Sequence, residues 1–323
     1  MNSRSSSPRA ALVINPRALR NLRNPTEREA LHRGFERVGE VVETAEPSDL
    51  QPLFTRWKNE GVGLIAISGG DGSFHAAVQA ICAVWPANAL PQLVPLHGGT
   101  LGVVARAVGA RPALEAVRRL RDDLSHGRPL VEVPLASLAV GSRVGFNFGV
   151  GLFCTVSTRF IEGRSRGPTA VWRVAASSIA SALVGGGMAH EGFQPWQGTI
   201  AVDGQQVDPA TMYGLYASSV ADMWKLRGFR NIPARDDQFR EMRVQVGVAE
   251  TLLRFPAFAL GLPGAIRSSD NGGASRISIT HEGIFDYISD GELYTGEGSL
   301  EVGVGPTFRV VSPTGQGALV RNP

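Results

Sequence analysis

The sequence predicts a two-part chain, an α/β domain on a parallel sheet followed by a β-rich antiparallel domain. Three observations carry this. The length is 323 residues, about twice an ordinary domain. Up to about residue 125, short apolar runs alternate with helically spaced ones; later segments are short, β-rich and broken by Gly, Pro, Asp and Asn. Hydrophobic residues make up 43% and charged residues 19%, enough for a full core and unlike a disordered composition. The boundary falls near His126-Gly127-Arg128-Pro129. This gives domains 1–130 and 131–323, with a return of the last residues to the first domain left open.

Residues 10–14 form a short apolar run closed by Asn15-Pro16, a strand and its turn. Spacing at Ala30, Leu31 and Phe35 predicts a helix over 26–37, entered at Pro25-Thr26. Residues 39–44 read as a second strand. Ser48 is the expected N-cap of a helix carrying Leu50, Leu53, Phe54 and Trp57. The continuous apolar run 62–67 suits a buried parallel strand. Residues 73–84 are helical and 93–96 form a fourth strand. Such alternation implies a parallel sheet with helices on both faces and ligands at the carboxyl ends of its strands. Beyond Pro129, segments 129–140, 142–152, 198–205, 211–219, 241–248, 275–281, 284–288, 298–304 and 307–312 predict an antiparallel sandwich or barrel-like domain. Residues 168–189 look like an inserted helix and 221–237 like a polar loop rich in Arg and Asp. No internal repeat is present.

Basic residues number 32 and acidic residues 29, a net of +3, which argues against a general nucleic-acid coat. Only Lys58 and Lys225 are lysines, and neither lies in a G-x-x-x-x-G-K-[ST] run, so the ordinary P-loop is excluded. Glycines number 39 and cluster between apolar segments. Cys82 and Cys154 exclude a disulfide scaffold and a cysteine-rich zinc site, and read as buried thiols in a reducing compartment. The N-terminal apolar run is too short for a signal-peptide core. A spanning helix needs ~18–20 predominantly apolar residues. Stretch 76–96 is broken by Pro86, Asn88 and Pro91, and stretch 174–189 is short and diluted by Ser and Gly. The expectation is a soluble, cytoplasmic protein. Residues 1–37 hold eight arginines against Glu27, Glu29 and Glu36, a net of +5. That basic edge reads first as a solvated helix face, and is compatible with brief peripheral contact at the inner membrane face.

The strongest local signal is Ser68-Gly69-Gly70-Asp71-Gly72-Ser73, directly after the strand at 62–67 and before a helix. Three glycines in four positions let the backbone approach a ligand and take up positive φ. The helix start offers free N–H groups and a positive dipole end. Asp71 inside this turn would repel a bare phosphate, so it suggests a magnesium nucleotide. A tight strand–helix turn without a ligand would use the same glycines. A second glycine turn, Pro95-Leu96-His97-Gly98-Gly99-Thr100, follows the next strand, and Thr100 would offer a hydroxyl to a phosphate or to a metal's water. Asn15-Pro16 ends the first strand at the same sheet edge.

Gly69-Gly70-Asp71-Gly72-Ser73 resembles the GGDGT signature of the diacylglycerol kinase catalytic superfamily, which includes bacterial diacylglycerol kinase-like and sphingosine kinase-like lipid kinases. NAD kinases share a related turn. Ile14-Asn15-Pro16 is similar to the family's opening V-N-P, and Pro95 to Gly109 to its P-x-G-T-x-N-D-x-A-R-x-L-G segment. Phe146-Asn147-Phe148-Gly149-Val150-Gly151 resembles the strand that opens the second domain. Ile232-Pro233-Ala234-Arg235-Asp236-Asp237 resembles P-x-A-x-x-D-D-G. Asp290-Gly291-Glu292 resembles the terminal D-G-E, which favours the lipid-kinase branch. The matches run in order from about residue 10 to 313.

The resemblance implies a Rossmann-like nucleotide domain of the NAD kinase/diacylglycerol kinase type and a lipid-substrate domain. It implies that Asn15, Pro16, Thr44, Gly69, Gly70, Asp71, Gly72, Ser73, His75, Gly99 and Thr100 surround ATP. It implies an assisting Mg2+ held by Ala234, Asp236, Asp237 and Phe239, partly through carbonyls. Glu292 falls where the family has its proton acceptor, with Asp71 and Asp290 as further catalytic carboxylates. On a regular strand Asp290 and Glu292 would share one face, unless Gly291 bends the chain.

Departures from the pattern are specific. Arg17-Ala18-Leu19 follows Asn15-Pro16 where a small residue is usual. His75 stands at a common Asn, Gly102-Val103 replaces Asn-Asp, and Gln238 replaces a glycine. Trp172, Val174, Ala175, Ala176 and Leu183 would suit either an acyl-pocket wall or a core helix. Arg227, Arg230 and Arg235 would suit either anionic headgroups or a solvated loop with ion pairs. His32, His126, His190 and His281 lack metal-helix spacing. The resulting reading is an ATP- and magnesium-dependent lipid kinase acting on a hydroxyl of a diacylglycerol-like or sphingoid lipid, with no nucleic-acid partner. A catalytically impaired nucleotide- or lipid-binding protein and an NAD kinase-like enzyme are the alternatives. The oligomeric state stays open, a homodimer included.

Overall fold

A continuous apolar strand needs cover on both faces, and the first third of the chain provides it with paired helices. The computed structural model describes residues 9–97, 104–105, 108, 112–162, 194–221, 227–262, 265 and 271–312. The expected helix at 168–189, with Trp172, Val174, Ala175, Ala176 and Leu183, lies outside them, as do Gly99, Thr100, Gly102 and Val103.

The N-terminal elements are β1 (Arg9–Ile14), α1 (Leu19–Arg23), α2 (Pro25–Phe35), β2 (Gly39–Glu43), α3 (Leu50–Asn59), β3 (Val62–Gly69), α4 (Asp71–Val84), β4 (Gln92–His97), α5 (Ala113–Ser125) and β5 (Glu132–Leu135). Then come β6 (Leu138–Val140), β7 (Arg143–Gly145), β8 (Asn147–Gly151), α6 (Leu152–Glu162), β9 (Thr199–Val202), β10 (Gln205–Val207), β11 (Gly214–Ser218), β12 (Phe239–Val244), α7 (Val248–Leu260), β13 (Asn271–Ala274), β14 (Arg276–Ser289), β15 (Glu292–Val304) and β16 (Phe308–Val311). The chain divides into two compact units, one of residues up to Leu135 together with those from Thr307 onward, the other Ala136–Pro306.

The first unit holds a six-stranded sheet in the order β2-β1-β3-β4-β16-β5, parallel except where β16 meets β5. Alternate residues Leu12, Ile14, Leu64, Ala66, Val94 and Leu96 pack with Leu31 and Phe35 of α2 and Val117 and Leu120 of α5. The helices α3 and α4 pack on each other and on β3, with Phe54 stacked on Trp57 at 5.5 Å between centroids. Trp57 Nε1 donates to Glu40 Oε2 at 2.7 Å, tying α3 to β2. Ser48 is not a helix cap: a 3-10 turn, Pro47–Asp49, leads into α3, and neither carries a side-chain cap bond.

The second unit is antiparallel and β-rich, as the segment pattern predicts. Its ten strands form one sheet, ordered β13-β12-β11-β8-β14-β15-β6-β7, with β9 on β14 and β10 on β9. The segments expected at 275–281 and 284–288 are a single strand. The first half of β14 pairs with β9 and its second half with β8, across a register shift between Thr280 and Ile284, with Gly283 at φ 104°. Leu138 and Val140 of β6 share one core with Phe239 of β12, which a flat sheet could not achieve, so the sheet curls around that core. The opposite face buries Tyr216, Met242 and Ile288 against Cys154 of α6, Phe258 of α7 and Phe229. Helices α6 and α7 were not among the sequence-based expectations. Pro256 interrupts α7, and the apolar run around 152–162 gives no clear boundary.

Burial pushes the Cys82 thiol up to about 11 and the Cys154 thiol up to about 12, so neither is a thiolate near neutral pH. Alkylation by iodoacetamide at pH 8, followed by mass spectrometry, should therefore leave both cysteines largely unmodified in the native protein and modify both once it is unfolded.

Candidate active site

Strand order β2-β1-β3-β4 reverses direction between β1 and β3, which opens a crevice at their carboxyl ends. Asn15 and the 69–73 turn meet there. The Asn15 backbone N–H donates to the Ser68 carbonyl at 2.9 Å, and its Nδ2 donates to Ser73 Oγ at 2.8 Å. Its Oδ1 accepts the Arg17 N–H at 2.9 Å, so Arg17 joins the turn through its backbone. Pro16 follows directly and carries the chain away toward α1.

A residue that the sequence reading passed over completes this junction. Asn21 is 4% exposed, and its Nδ2 donates to the Asn15 carbonyl at 2.8 Å and to the Ser68 carbonyl at 3.2 Å. It thereby satisfies carbonyls at the ends of both strands. Its only sequence signal is a polar residue at a position that α1 buries, masked by the arginines around it.

The glycine turn works by space. A Cβ on Gly69 would overlap Ser73 Cβ and come within 2.6 Å of Ser73 Oγ. None of Gly69, Gly70 and Gly72 has positive φ, contrary to the expectation; Gly70 is extended at φ −86° and ψ −176°. Asp71 opens α4 immediately, and the Phe74 N–H reaches the Gly70 carbonyl at 3.0 Å. Residues Asp71, Gly72 and Ser73 therefore form the first turn of the helix, a position whose dipole end is suited to an anion. Asp71 is half-buried there, where its charge also complements the helix dipole.

Thr44 follows β2, its backbone N–H on the Ile14 carbonyl at 3.0 Å and its Oγ1 donating to Asp49 Oδ2 at 2.7 Å. His75 lies on the inward side of α4, 4% exposed and 3.3 Å from Gln79 Nε2. Its position makes it part of the packing beneath the turn.

In the second unit, Ser289 pairs with Glu292, so Asp290-Gly291 is a two-residue hairpin turn with φ 49° and 86°. Asp290 and Glu292 thus do not share a strand face; Gly291 reverses the chain between them. The Asp290 carboxylate accepts N–H groups from Phe146 at 3.0 Å and Asn147 at 2.9 Å, and the Asn147 Nδ2 at 3.0 Å. These bonds anchor the hairpin to the start of β8. Glu292 is exposed, and its Oε2 accepts the Tyr294 hydroxyl at 2.7 Å. The Tyr294 ring stacks on Tyr287 at 5.5 Å and lies 4.3 Å from the Arg143 guanidinium. Burial, then the bond to Glu292, pushes the Tyr294 hydroxyl up to about 12, so it stays a donor at neutral pH. One carboxylate oxygen of Glu292 is thereby held and the other can accept a second donor.

The loop expected to hold Mg2+ does not fit a resident metal. Asp236 and Asp237 are exposed, and Asp237 lies 3.6 Å from Arg235 Nε. Gln238 Oε1 accepts the Arg235 N–H at 3.2 Å and closes the loop on itself, while Ala234 is half-buried and Phe239 is core. Among the described residues, no group of three or more His, Cys, Asp or Glu is placed to hold a metal ion.

Comparison with known proteins covers this region. Residues 9–133 match the family model for the diacylglycerol kinase catalytic domain. That segment, somewhat over a third of the chain, is therefore similar to this catalytic domain. It spans β1 to β5 and includes the Asn15, Asn21 and 69–73 junction. A diacylglycerol kinase structure from Bacillus anthracis str. Sterne shares the fold, with TM-score 0.63 at 16% identity over 94% of this chain and 96% of that one. Another structure from the same organism, carrying that assignment provisionally, gives TM-score 0.66 at 15% identity over the same shares. No curated protein matches the sequence.

Two substitutions test the geometry. Asn21→Ala removes the second donor from the Asn15 and Ser68 carbonyls, which keep the Ala18 and Asn15 N–H groups, and should lower unfolding free energy by about 1–2 kcal/mol in chemical denaturation. Asp290→Ala should destabilise the protein by about 2–3 kcal/mol, because it strips backbone N–H groups of a charged acceptor, whereas Glu292→Gln should leave the melting temperature within a degree or so.

Proposed function

We propose that the chain is an ATP- and magnesium-dependent lipid kinase that phosphorylates a hydroxyl of a diacylglycerol-like or sphingoid lipid. The observation that carries this reading is the glycine turn and open helix start at the β1/β3 crevice, inside a segment that matches a kinase catalytic domain. Magnesium arrives with ATP as part of that substrate.

The chain's own residues supply position and charge. The first-turn N–H groups of α4 bind phosphate oxygens, and the dipole end adds to the attraction. Gly69 keeps the turn low enough for Asn15 to hold Ser73, and Asp71 lies where a metal-bound phosphate can be accommodated. Phosphoryl transfer of this kind depends mostly on alignment and charge neutralisation. Glu292, steadied by Tyr294, accepts the proton of the attacking lipid hydroxyl. Asp290 serves as the anchor that sets the hairpin. The closed 234–239 loop carries no step.

That closed loop, with Asp237 turned to Arg235 and Gln238 inside, also supports a second reading, a nucleotide-binding protein of this fold without turnover. Labelled ATP, magnesium and a panel of lipids in mixed micelles separate the two. Transfer of label to a diacylglycerol or sphingoid base, falling at least ~100-fold in Asp71→Asn and in Glu292→Gln, is the expected result. Thermal stabilisation by ATP with no labelled lipid would establish the second reading.

A further inference from the structure

A buried guanidinium is costly unless a carboxylate or several hydrogen bonds repay the water it loses. Arg240, on β12, is 8% exposed and the only buried arginine among the described residues. Its one hydrogen bond runs from Nε to the Ile232 carbonyl at 3.1 Å, and among the described residues no carboxylate forms an ion pair with it. Burial holds its acidity below the usual arginine value, with no neighbouring carboxylate to raise it again. Nη1 and Nη2 make no hydrogen bond, and neither is among the fully enclosed polar atoms, so the outer edge of the fork is both unspent and reachable. Arg243, Arg254 and Arg276 of the same unit, by contrast, have Glu241, Glu250 and Glu301 as partners.

Strand pairing places Arg240 at the end of a polar row. Arg240 pairs with Ser218 of β11, and Ser218 with Asn147 of β8, so the three side chains share one face of the sheet. Ser218 Oγ donates to Asn147 Oδ1 at 2.9 Å, and Asn147 Nδ2 donates to Asp290 Oδ1 at 3.0 Å. The row thus runs from the Asp290 hairpin to Arg240 across strands about 4.8 Å apart. Its carboxylate, Asp290, is engaged by the N–H groups of Phe146 and Asn147. On the other side β13 faces Arg240 with Gly273, where a Cβ would collide with Gln238 Oε1. That Gln238 oxygen accepts the Arg235 N–H, Asp237 is turned to Arg235, and Asp236 is exposed without a bond to Arg240. None of these groups neutralises the buried charge. A glutamine could cap the Ile232 carbonyl without any charge, and a methionine could fill the same space at less cost.

We propose that Arg240 anchors an oxyanion site in the second unit and takes a phosphate group through Nη1 and Nη2. A guanidinium fork matches two phosphate oxygens, and such a bond is strongest where little water competes. The ligand supplies the negative charge that the fold withholds. Gly291 alone separates Asp290 from Glu292, so the site lies at the same end of this sheet as Glu292. A nucleotide phosphate and a phosphate carried by a lipid present the same oxygens to the fork. The site rests on the kinase reading only for which of these molecules brings the phosphate.

Isothermal titration of the full chain with inorganic phosphate, ADP and dihexanoyl phosphatidic acid tests it. Arg240→Gln, which keeps a donor for the Ile232 carbonyl, should weaken binding of ADP or of the phosphatidic acid by about tenfold or more. Arg240→Lys keeps the charge without the fork and should recover only part of that loss. A loss confined to ADP assigns the site to a nucleotide phosphate, and one confined to the phosphatidic acid assigns it to a lipid phosphate. In phosphate-free buffer Arg240→Gln and Arg240→Met should melt within about two degrees of the wild type, because each also removes a buried unpaired charge. The proposal is overturned if the wild type binds none of the three, or if Arg240→Gln binds them all as the wild type does. It is equally overturned if both variants melt far lower, which would make Arg240 a structural cap of Ile232. Anion binding that depends on Arg240, in a chain that labels no lipid, would sink the kinase reading alone. Lipid labelling with anion binding indifferent to Arg240 would sink this proposal alone.

Discussion

Asn15 and Asn21 hold the carboxyl ends of β1 and β3 together, and the shape of the glycine turn beside them depends on that pairing. Parallel strands end in carbonyls that the sheet no longer satisfies. Here the Ser68 carbonyl receives both the Asn15 N–H and the Asn21 amide, and the Asn15 side chain reaches across to Ser73. The turn after β3 is thereby pressed flat against the end of β1, close enough that residue 69 has no room for a side chain. Helix α4 then begins at once, with its first turn at the crevice. Gly69 thus serves close packing.

A comparable logic governs the C-terminal unit, where the constraint is a hairpin. Residues Asp290 and Gly291 both occupy the left-handed region, so β14 and β15 reverse in two residues. The Asp290 carboxylate spends its acceptor capacity on the first residues of β8. That leaves Glu292 at the start of the outgoing strand, exposed and held on one side by Tyr294. Two carboxylates two residues apart thus take up different work because the backbone between them turns back. The two tyrosines, Tyr287 and Tyr294, and the Arg143 guanidinium that support Glu292 come from three strands.

Much of this was legible beforehand, and for physical reasons. Periodicity reports burial directly, so β1 to β4 and α2 to α4 around the 69–73 turn were predicted to within a few residues, whereas the short α1 was not. The glycine-aspartate turn was legible because few other contexts need three glycines and an acid between a buried strand and a helix. Asn21 was not, because nothing local distinguishes a buried amide from the exposed polar residues beside it. Ser48 failed as a cap because a 3-10 turn entered α3 first. Helices α6 and α7 were hidden by weak boundaries and by Pro256. The single strand β14 was read as two because a bulge at Gly283 breaks its alternation.

By itself, the sequence determined the class of each half, the parallel-sheet order of events around the first turn, and the residues eligible to bind phosphate or accept a proton. Those properties follow from local spacing and from side-chain chemistry. Only the tertiary structure decided the rest: that Gly69 is needed for space and not for φ, that Asp290 anchors while Glu292 stays exposed, that the 234–239 loop closes on Gln238, and that α7 turns Leu253 and Leu260 outward. Each of these depends on which distant segment packs against the residue, and pairings across a fold are set by the whole core and not by neighbours in the chain.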